Sequence, residues 1–493
     1  MRVVLIDPPF YRFIGFYNRY FPLGVVSVGT ALKEAGHDVA VYDADYNDHP
    51  TALDYTRLID HYGTYLESFA DDHHPVWTEV RETLARLKPD LIGIAIWTTY
   101  AASAFHVARI CKQVRPDCPV MMGGPHATVK ADEVLRICPH VDYVIRGEGE
   151  QASIELLEHL AGARPDRASI HGLSYRREGT IQHAPAREKH RVLDTCPFPD
   201  RDLLMNAKTY TPEDMGLIMT SRGCPYACTY CATEIRRTCF RSVEHVLDEI
   251  RRTQERYGTI QFNFKDDSFT ANKGRVEQLC DRIVAERLRI RWECTTRANL
   301  ITGELLKTMK QAGCNSIKIG IESGSQTILE QMNKAITLEQ LRQAAQWLRK
   351  AGIHWTGYFM MGVPGETEAH IYQTLKFMYE LKPDYAHIGT YEPFPGTAMF
   401  DDGVQRGLLK PDMTLEEFYT TLPNDYYKAP GRRQVDTMDQ DQFQALESEM
   451  KAKFHAYNNH VVRLFKRAWS RSRLYLSHPA DLLADFKKYR SWS

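Results

Sequence analysis

Thr220-Ser221-Arg222-Gly223-Cys224-Pro225-Tyr226-Ala227-Cys228-Thr229-Tyr230-Cys231 follows the short apolar run 216–219 (GLIM), and this stretch decides the fold. Cysteines spaced three residues and then two residues apart, directly after a strand, can wrap one loop around a single metal group. A structural zinc site normally takes four protein ligands, whereas a [4Fe–4S] cube held by three thiolates keeps one iron open, as catalytic metal sites do. Cys239 as a fourth ligand would close the site, but it follows Glu234, Arg236 and Arg237, a charged segment that would have to fold back.

Downstream, apolar runs recur at 258–264 (GTIQFNF), 290–296 (IRWECTT), 315–321 (NSIKIGI), 353–361 (IHWTGYFMM) and 384–390 (DYAHIGT), each separated by a helical pattern. With 216–219 they make six β-α units, short of the eight that close a full barrel, so an open partial barrel of parallel strands is predicted. Chemistry on such barrels gathers at the carboxyl ends of the strands, which selects Asp266-Asp267, Arg297, Glu322-Ser323-Gly324, Gly362 through Glu366, and Glu392-Pro393. The bland alternatives are a solvated turn for Asp266-Asp267 and an ion pair to Glu293 or Glu322 for Arg297. Phe264, Phe269, Trp292, Trp355, Tyr358 and Tyr391 read as core.

Upstream, 2–7 (RVVLID) stops at Pro8-Pro9, residues 24–36 carry helical spacing, and 38–43 (DVAVYD) is again strand-like. The alternation continues at 90–97, 119–124 and 141–146, with amphipathic stretches at 101–114 and 149–161. It predicts a parallel sheet covered on both faces, with ligands bound beyond the carboxyl ends of its strands. Pro8 and Pro9, Trp97-Thr98-Thr99, Gly123-Gly124-Pro125-His126-Ala127-Thr128 and Gly147-Glu148-Gly149-Glu150 fall there; tight turns are the alternative. The organisation expected is 1–161 as a doubly wound domain, 162–214 as a connector with a hairpin turning at Glu178-Gly179, 215–399 as the partial barrel, and 400–493 as a helical cap.

The chain has 493 residues, too many for one core, and its 62 Lys plus Arg nearly balance 63 Asp plus Glu. A formal charge of -1 gives no global field toward nucleic acid or anionic lipid and favours small-molecule chemistry. No run approaches the roughly 18 apolar residues of a membrane span, and residues 1–7 enter a strand pattern rather than a secretory signal, so a cytoplasmic protein is expected. Eleven cysteines, an odd count, argue for reduced thiols. Residues 463–490 hold eight basic side chains against two acids, a solvated helical face or a footprint for an anionic partner.

C-x-x-x-C-x-aromatic-C, with Tyr230 in the aromatic place, is similar to the signature of the radical S-adenosylmethionine superfamily. The D-P-P opening, the Pro22-Leu23-Gly24 helix start, the G-G-P-H-A-T loop and the G-E-G-E turn resemble the cobalamin-binding domain that precedes the barrel in many such enzymes. The resemblance implies an α/β protein: an N-terminal doubly wound Rossmann-like parallel sheet, a partial six-stranded (β/α) TIM-like barrel, and a helical C-terminal region. It implies a [4Fe–4S] cluster on Cys224, Cys228 and Cys231, with S-adenosylmethionine near Tyr230, Asp266, Asp267, Arg297, Glu322 and Ser323. It implies cobalamin near Pro8, Pro9, Gly24, Thr98, Thr99, Gly123, Gly124, His126, Gly147 and Glu148. The D-x-H-x-x-G motif of many cobalamin proteins is missing, since Asp71-Asp72-His73-His74-Pro75 lacks the glycine, so no histidine from it would reach cobalt. His126 is open to two roles, cobalt ligand or organiser of its glycine-rich turn.

The activity implied is generation of a 5′-deoxyadenosyl radical and methylation of an unactivated carbon or phosphorus centre in a small molecule, lipid or peptide. Radical cyclisation or rearrangement is the alternative. An electron donor such as flavodoxin or ferredoxin and anaerobic chemistry go with it. A methylthiotransferase would need a second set of N-terminal cysteines, which Cys111, Cys118 and Cys138 do not resemble; a zinc-bound, non-catalytic sensor is the rival from another class.

Overall fold

A computed structural model describes residues 1–16, 18, 20–47, 58–163, 166–188, 192–233, 237–429, 435–460, 463 and 476. The basic side chains expected beyond Arg463 lie outside the described residues.

The first sheet contains β1 (Arg2–Asp7), β2 (Asp38–Asp43), β3 (Leu91–Ala95), β4 (Val120–Gly123), β5 (Tyr143–Ile145), β6 (Leu173–Arg177) and β7 (Thr180–His183), in the order β2-β1-β3-β4-β5-β6-β7. The first five strands pair in parallel, because each is followed by a helix that returns the chain to the same edge. Helices Leu23–Glu34 and Glu150–Leu160 pack against each other on one face, Pro75–Leu87 and Ala101–Val114 on the other. Glu178 and Gly179, both at positive φ, turn the β6-β7 hairpin. That hairpin belongs to the sheet: β6 pairs antiparallel with β5, so this part of the expected connector extends the first unit.

β8 (Leu217–Ile218) begins the second sheet. A two-stranded ribbon of β9 (Ser221–Arg222) and β10 (Cys239–Phe240) brackets the cysteine loop. β11 (Gln261–Phe264), β12 (Arg291–Thr296), β13 (Cys314–Glu322), β14 (His354–Met361) and β15 (Tyr385–Thr390) follow, and the order β15-β14-β13-β12-β11-β8 is parallel throughout. Along β12 buried and half-buried residues alternate: Trp292, Cys294 and Thr296 enter the core under the outer helices, while Glu293 and Thr295 face the barrel lumen. The helices carry their own stops and starts. Thr337 and Gln340 form a reciprocal cap on Leu338–Ala351, and Gly352 closes it in the left-handed region.

The C-terminal chain serves both units. Phe400, Leu408, Phe418 and Tyr427 join the core of the first sheet, whereas Phe443, Met450 and Phe454 of helix Gln440–Asn458 join the barrel core beside β15. Asn458 closes the edge of β15, accepting from the Ala386 N–H at 2.9 Å and donating to the Ala386 carbonyl at 2.6 Å.

Candidate active site

Gly223 (φ +92°) turns the chain out of β9 into the cysteine loop, a conformation that costs a residue with a Cβ. The loop is tied from both sides. Thr229 donates its N–H to the Met332 carbonyl at 3.0 Å and accepts from the Met399 N–H at 2.9 Å, and Asn333 donates to the Ala227 carbonyl at 2.8 Å. Cys228 is buried while Cys224 and Cys231 are half-exposed.

Arg297 serves this loop. Its guanidinium lies 3.7 Å from the Tyr226 ring centroid, donates to Cys228 Sγ at 3.4 Å and to the Lys334 carbonyl, and points Nε at Asn299. With its donors so engaged, it is not arranged as a free two-pronged clamp for a carboxylate, and neither Glu293 nor Glu322 is its partner. Those carboxylates take lysines instead: Lys318 Nζ to Glu293 at 2.5 Å and Lys334 Nζ to Glu322 at 2.7 Å.

Lys334 is the functional residue that motif reading missed. Its ammonium also donates to the Tyr230 hydroxyl at 3.0 Å, so Tyr230, Lys334 and Glu322 form one chain from the cysteine loop to the end of β13. Burial and the Glu322 charge push the Tyr230 hydroxyl up and keep it protonated. Glu322 itself sits at φ +64° at a register shift between β13 and β14, which turns its side chain to the strand end.

The two aspartates after β11 part company. Asp266 is buried, and its oxygens accept from the N–H groups of Thr220 (2.7 Å) and Ser221 (2.5 Å) and from the Thr220 hydroxyl (2.6 Å). It anchors the entry to the cysteine loop, with both oxygens engaged by protein donors. Asp267 is exposed and within electrostatic reach of Cys224, leaving it as the available carboxylate. Ser323 is fully buried and shares its hydroxyl with Thr374 at 3.2 Å, so its side chain packs the strand end against helix Glu368–Leu381 instead of facing a ligand.

At the first sheet, Trp97, Thr98, Thr99, Gly123, Gly124, Gly147 and Glu148 gather beyond the strand ends, with Gly147 and Trp97 exposed. Gly124 has φ +118°, and a Cβ there would lie 2.8 Å from the Ile96 carbonyl oxygen, so only glycine lets this loop lie flat on β3. Thr128 accepts from the Gly147 N–H at 3.0 Å and joins the two glycine-rich turns. His126 is fully buried near Phe418 and Tyr427 and meets Thr98 Oγ1 through Nδ1 at 3.1 Å. Burial holds its pKa down at about 3, so the ring is neutral. Facing inward, it ties the turn to Thr98, and its Nε2 has no hydrogen-bond partner among the described residues. Pro8 and Pro9 are buried, and Gly24 is exposed at the start of its helix.

One side chain joins the two regions. Arg222, two residues before Cys224, donates to Glu148 at 2.6 Å and Glu150 at 2.5 Å, locking the G-E-G-E turn of the first sheet to the root of the cysteine loop. Burial alone would lower the Arg222 pKa; the two carboxylates overcome it and hold the guanidinium charged. The ligand-binding ends of both sheets therefore meet at this joint.

The donor chemistry fits a cluster: three thiols on one loop, with a buried guanidinium against one sulfur to offset thiolate charge. Among the described residues, no three His, Cys, Asp or Glu side chains close on a point as ligands of one ion do. The glycine cradle beside exposed Trp97 and half-buried Thr98 and Thr99 fits a flat ligand laid across the strand ends.

A three-cysteine loop at the mouth of a parallel half-barrel, locked to a doubly wound sheet, defines an iron–sulfur enzyme with a second cofactor domain. The Radical SAM superfamily profile matches residues 218–378 and the B12 binding domain profile residues 13–157. An uncharacterized methyltransferase of Pyrococcus horikoshii is 33% identical over 417 residues, 83% of this chain and 84% of that protein. The anaerobic magnesium-protoporphyrin IX monomethyl ester cyclase of Rubrivivax gelatinosus is 29% identical, over 66% of this chain and 60% of that one. The cytidylyl-2-hydroxyethylphosphonate methyltransferase of Streptomyces wedmorensis is 25% identical, over 83% and 82%. In fold, the radical S-adenosylmethionine methyltransferase TsrM from Kitasatospora setae, with cobalamin and a [4Fe–4S] cluster bound, superimposes with a TM-score of 0.69 at 17% identity, covering 92% of this chain and 90% of that one. The chain belongs to the cobalamin-dependent radical S-adenosylmethionine enzymes, and its cofactors are a [4Fe–4S] cluster, S-adenosylmethionine and cobalamin.

Proposed function

We propose that this enzyme methylates an unactivated carbon or phosphorus centre of a small-molecule, lipid or peptide substrate, drawing electrons from a flavodoxin or ferredoxin. The observation that carries the reading is the Arg222 joint, which holds the G-E-G-E turn of the first sheet against the root of the cysteine loop; on this reading the substrate lies between the two cofactors. When bound, the cluster with S-adenosylmethionine supplies a radical that removes hydrogen from an unreactive position, and cobalamin supplies the methyl group. The chain's own work is positional. Cys224, Cys228 and Cys231 grip the cluster, Arg297 steadies Cys228, and Asp267 with the Tyr230–Lys334–Glu322 chain offers polar contacts to S-adenosylmethionine. Trp97, Thr98, Thr99, Gly123, Gly124, Gly147 and Glu148 form the cobalamin cradle.

The methyltransferase relatives from Pyrococcus and Streptomyces favour methyl transfer; the Rubrivivax cyclase supports oxidative cyclisation as the second reading. Anaerobically reconstituted enzyme, given S-adenosylmethionine carrying a trideuterated methyl group and a metabolite extract, is expected to yield a product bearing that label. A product that has lost hydrogen and gained no label would establish cyclisation and end the methylation reading.

A further inference from the structure

The lumen of the half-barrel holds a charged constellation separate from the residues assigned above to the cofactors. Lys265, directly after β11, stands level with Thr295 of β12 and Lys318 of β13 by strand register. Lys318 is neutralised by Glu293 at 2.5 Å, both side chains about one-fifth exposed. Lys265 has no carboxylate within ion-pair distance among the described residues; its ammonium lies 4.8 Å from the ring centroid of Tyr20, an exposed side chain of the loop after β1. Tyr358 of β14 stands within electrostatic reach of the Lys318–Glu293 pair and packs edge-on against His387 of β15, 5.6 Å between centroids. The lysines and Glu293 therefore sum to one positive charge, half-buried where the loop after β1 meets the barrel lumen. A half-buried ammonium without a counter-ion is expensive, and the cost is already visible: burial and Lys318 bring the Lys265 pKa down to about 8.

We propose that Lys265, supported by the Lys318–Glu293 pair and walled by Tyr20, Tyr358 and His387, receives a carboxylate of the substrate. One negative charge balances these three side chains, whereas a phosphate monoester dianion would overshoot them. The inference rests on the reading that substrate lies between the two sheets, and it narrows the substrate class to carboxylic acids.

The test reads Lys265 itself. Anaerobic holoenzyme is amidinated with limiting methyl acetimidate at pH 8 in sodium acetate, sodium chloride, inorganic phosphate or acetamide, at matched ionic strength for the salts, and labelling is quantified by peptide mass spectrometry. Acetate is expected to slow labelling of Lys265 about threefold or more, as occupancy of a single site dictates, while exposed Lys273 and Lys307 are unaffected. Equal labelling in acetate, chloride and acetamide would overturn the site, and stronger protection by phosphate would overturn the carboxylate assignment. Glu293→Gln removes a negative charge beside Lys318 and so raises the lumen charge, and half-protection should need less acetate; an unchanged requirement would remove the pair from the site. Cluster electron paramagnetic resonance and cobalamin absorbance on the same samples check that the variant is folded and loaded. Label transfer from S-adenosylmethionine is scored separately. Protection without transfer would sink methylation and keep the site, and transfer without protection would do the reverse.

Discussion

Lys334 and Arg297 show how far single residues decide this centre. Lys334 and Glu322 are 6% and 12% exposed, so removing the lysine strands a carboxylate where water hardly reaches. Lys334→Met is expected to cost about 3–5 kcal/mol in chemical denaturation, with much of the loss recovered by adding Glu322→Gln, because the cost lies mainly in the orphaned charge. Arg297→Met removes an N–H···S bond and a positive charge beside Cys228. Both changes favour the oxidised cluster, so its midpoint potential should fall in a redox titration followed by electron paramagnetic resonance. Cys224, Cys228 and Cys231 were legible because their spacing is itself the constraint. Lys334 was not, since a lysine after helix Gln326–Gln331 carries no local mark of burial; its partners are 12 and 104 residues away. Asp266 and Ser323 mark the opposite error: strand-end position selected them, but hydrogen bonds turn both side chains toward protein.

Among the elements, the turn from Gly362 to Glu366 carries a titration. The Glu366 carboxyl is buried, accepts from the Gly362 N–H at 2.5 Å, and leaves Oε1 without a hydrogen-bond partner among the described residues. Burial raises its pKa to about 7 from an ordinary 4.5. Between those values the folded state holds the proton and the unfolded chain releases it, so this residue's contribution to stability falls as pH rises through the window and stays low above it. Glu366→Gln removes the dependence. Relative to wild type, its stability should improve between pH 5 and pH 8 by up to about 3 kcal/mol, measured by denaturant unfolding at each pH. The strands themselves were readable in advance. Runs such as 290–296 and 353–361 are bounded by turn residues and sit at regular intervals, and β12 and β14 lie within them. The β6-β7 hairpin was visible as a hairpin, but its pairing with β5 was not, because register across 28 residues, from Ile145 to Leu173, leaves no local pattern.

For the whole molecule, Arg222 is the coupling to test. Arg222→Met removes the cation that both Glu148 and Glu150 accept from, and a loss of about 2–4 kcal/mol is expected, with calorimetry resolving the two units as separate transitions. A single unshifted transition would show that the joint contributes nothing to their union. Residues beyond 400, expected as a helical cap, also fill both cores. Phe418, Tyr427, Phe443 and Phe454 are fully or almost fully buried in the two cores, so truncation after residue 400 should expose both interiors. Among the described residues no helix is long and apolar enough to cross a membrane.

The placement of Phe400 through Tyr427 in the first sheet's core has a bearing on biosynthesis. The amino-terminal unit cannot finish closing when its own strands leave the ribosome; it must wait, with apolar surface open, until the barrel has been translated and the later segment arrives. Production of active enzyme should therefore respond to chaperone supply and to slower translation.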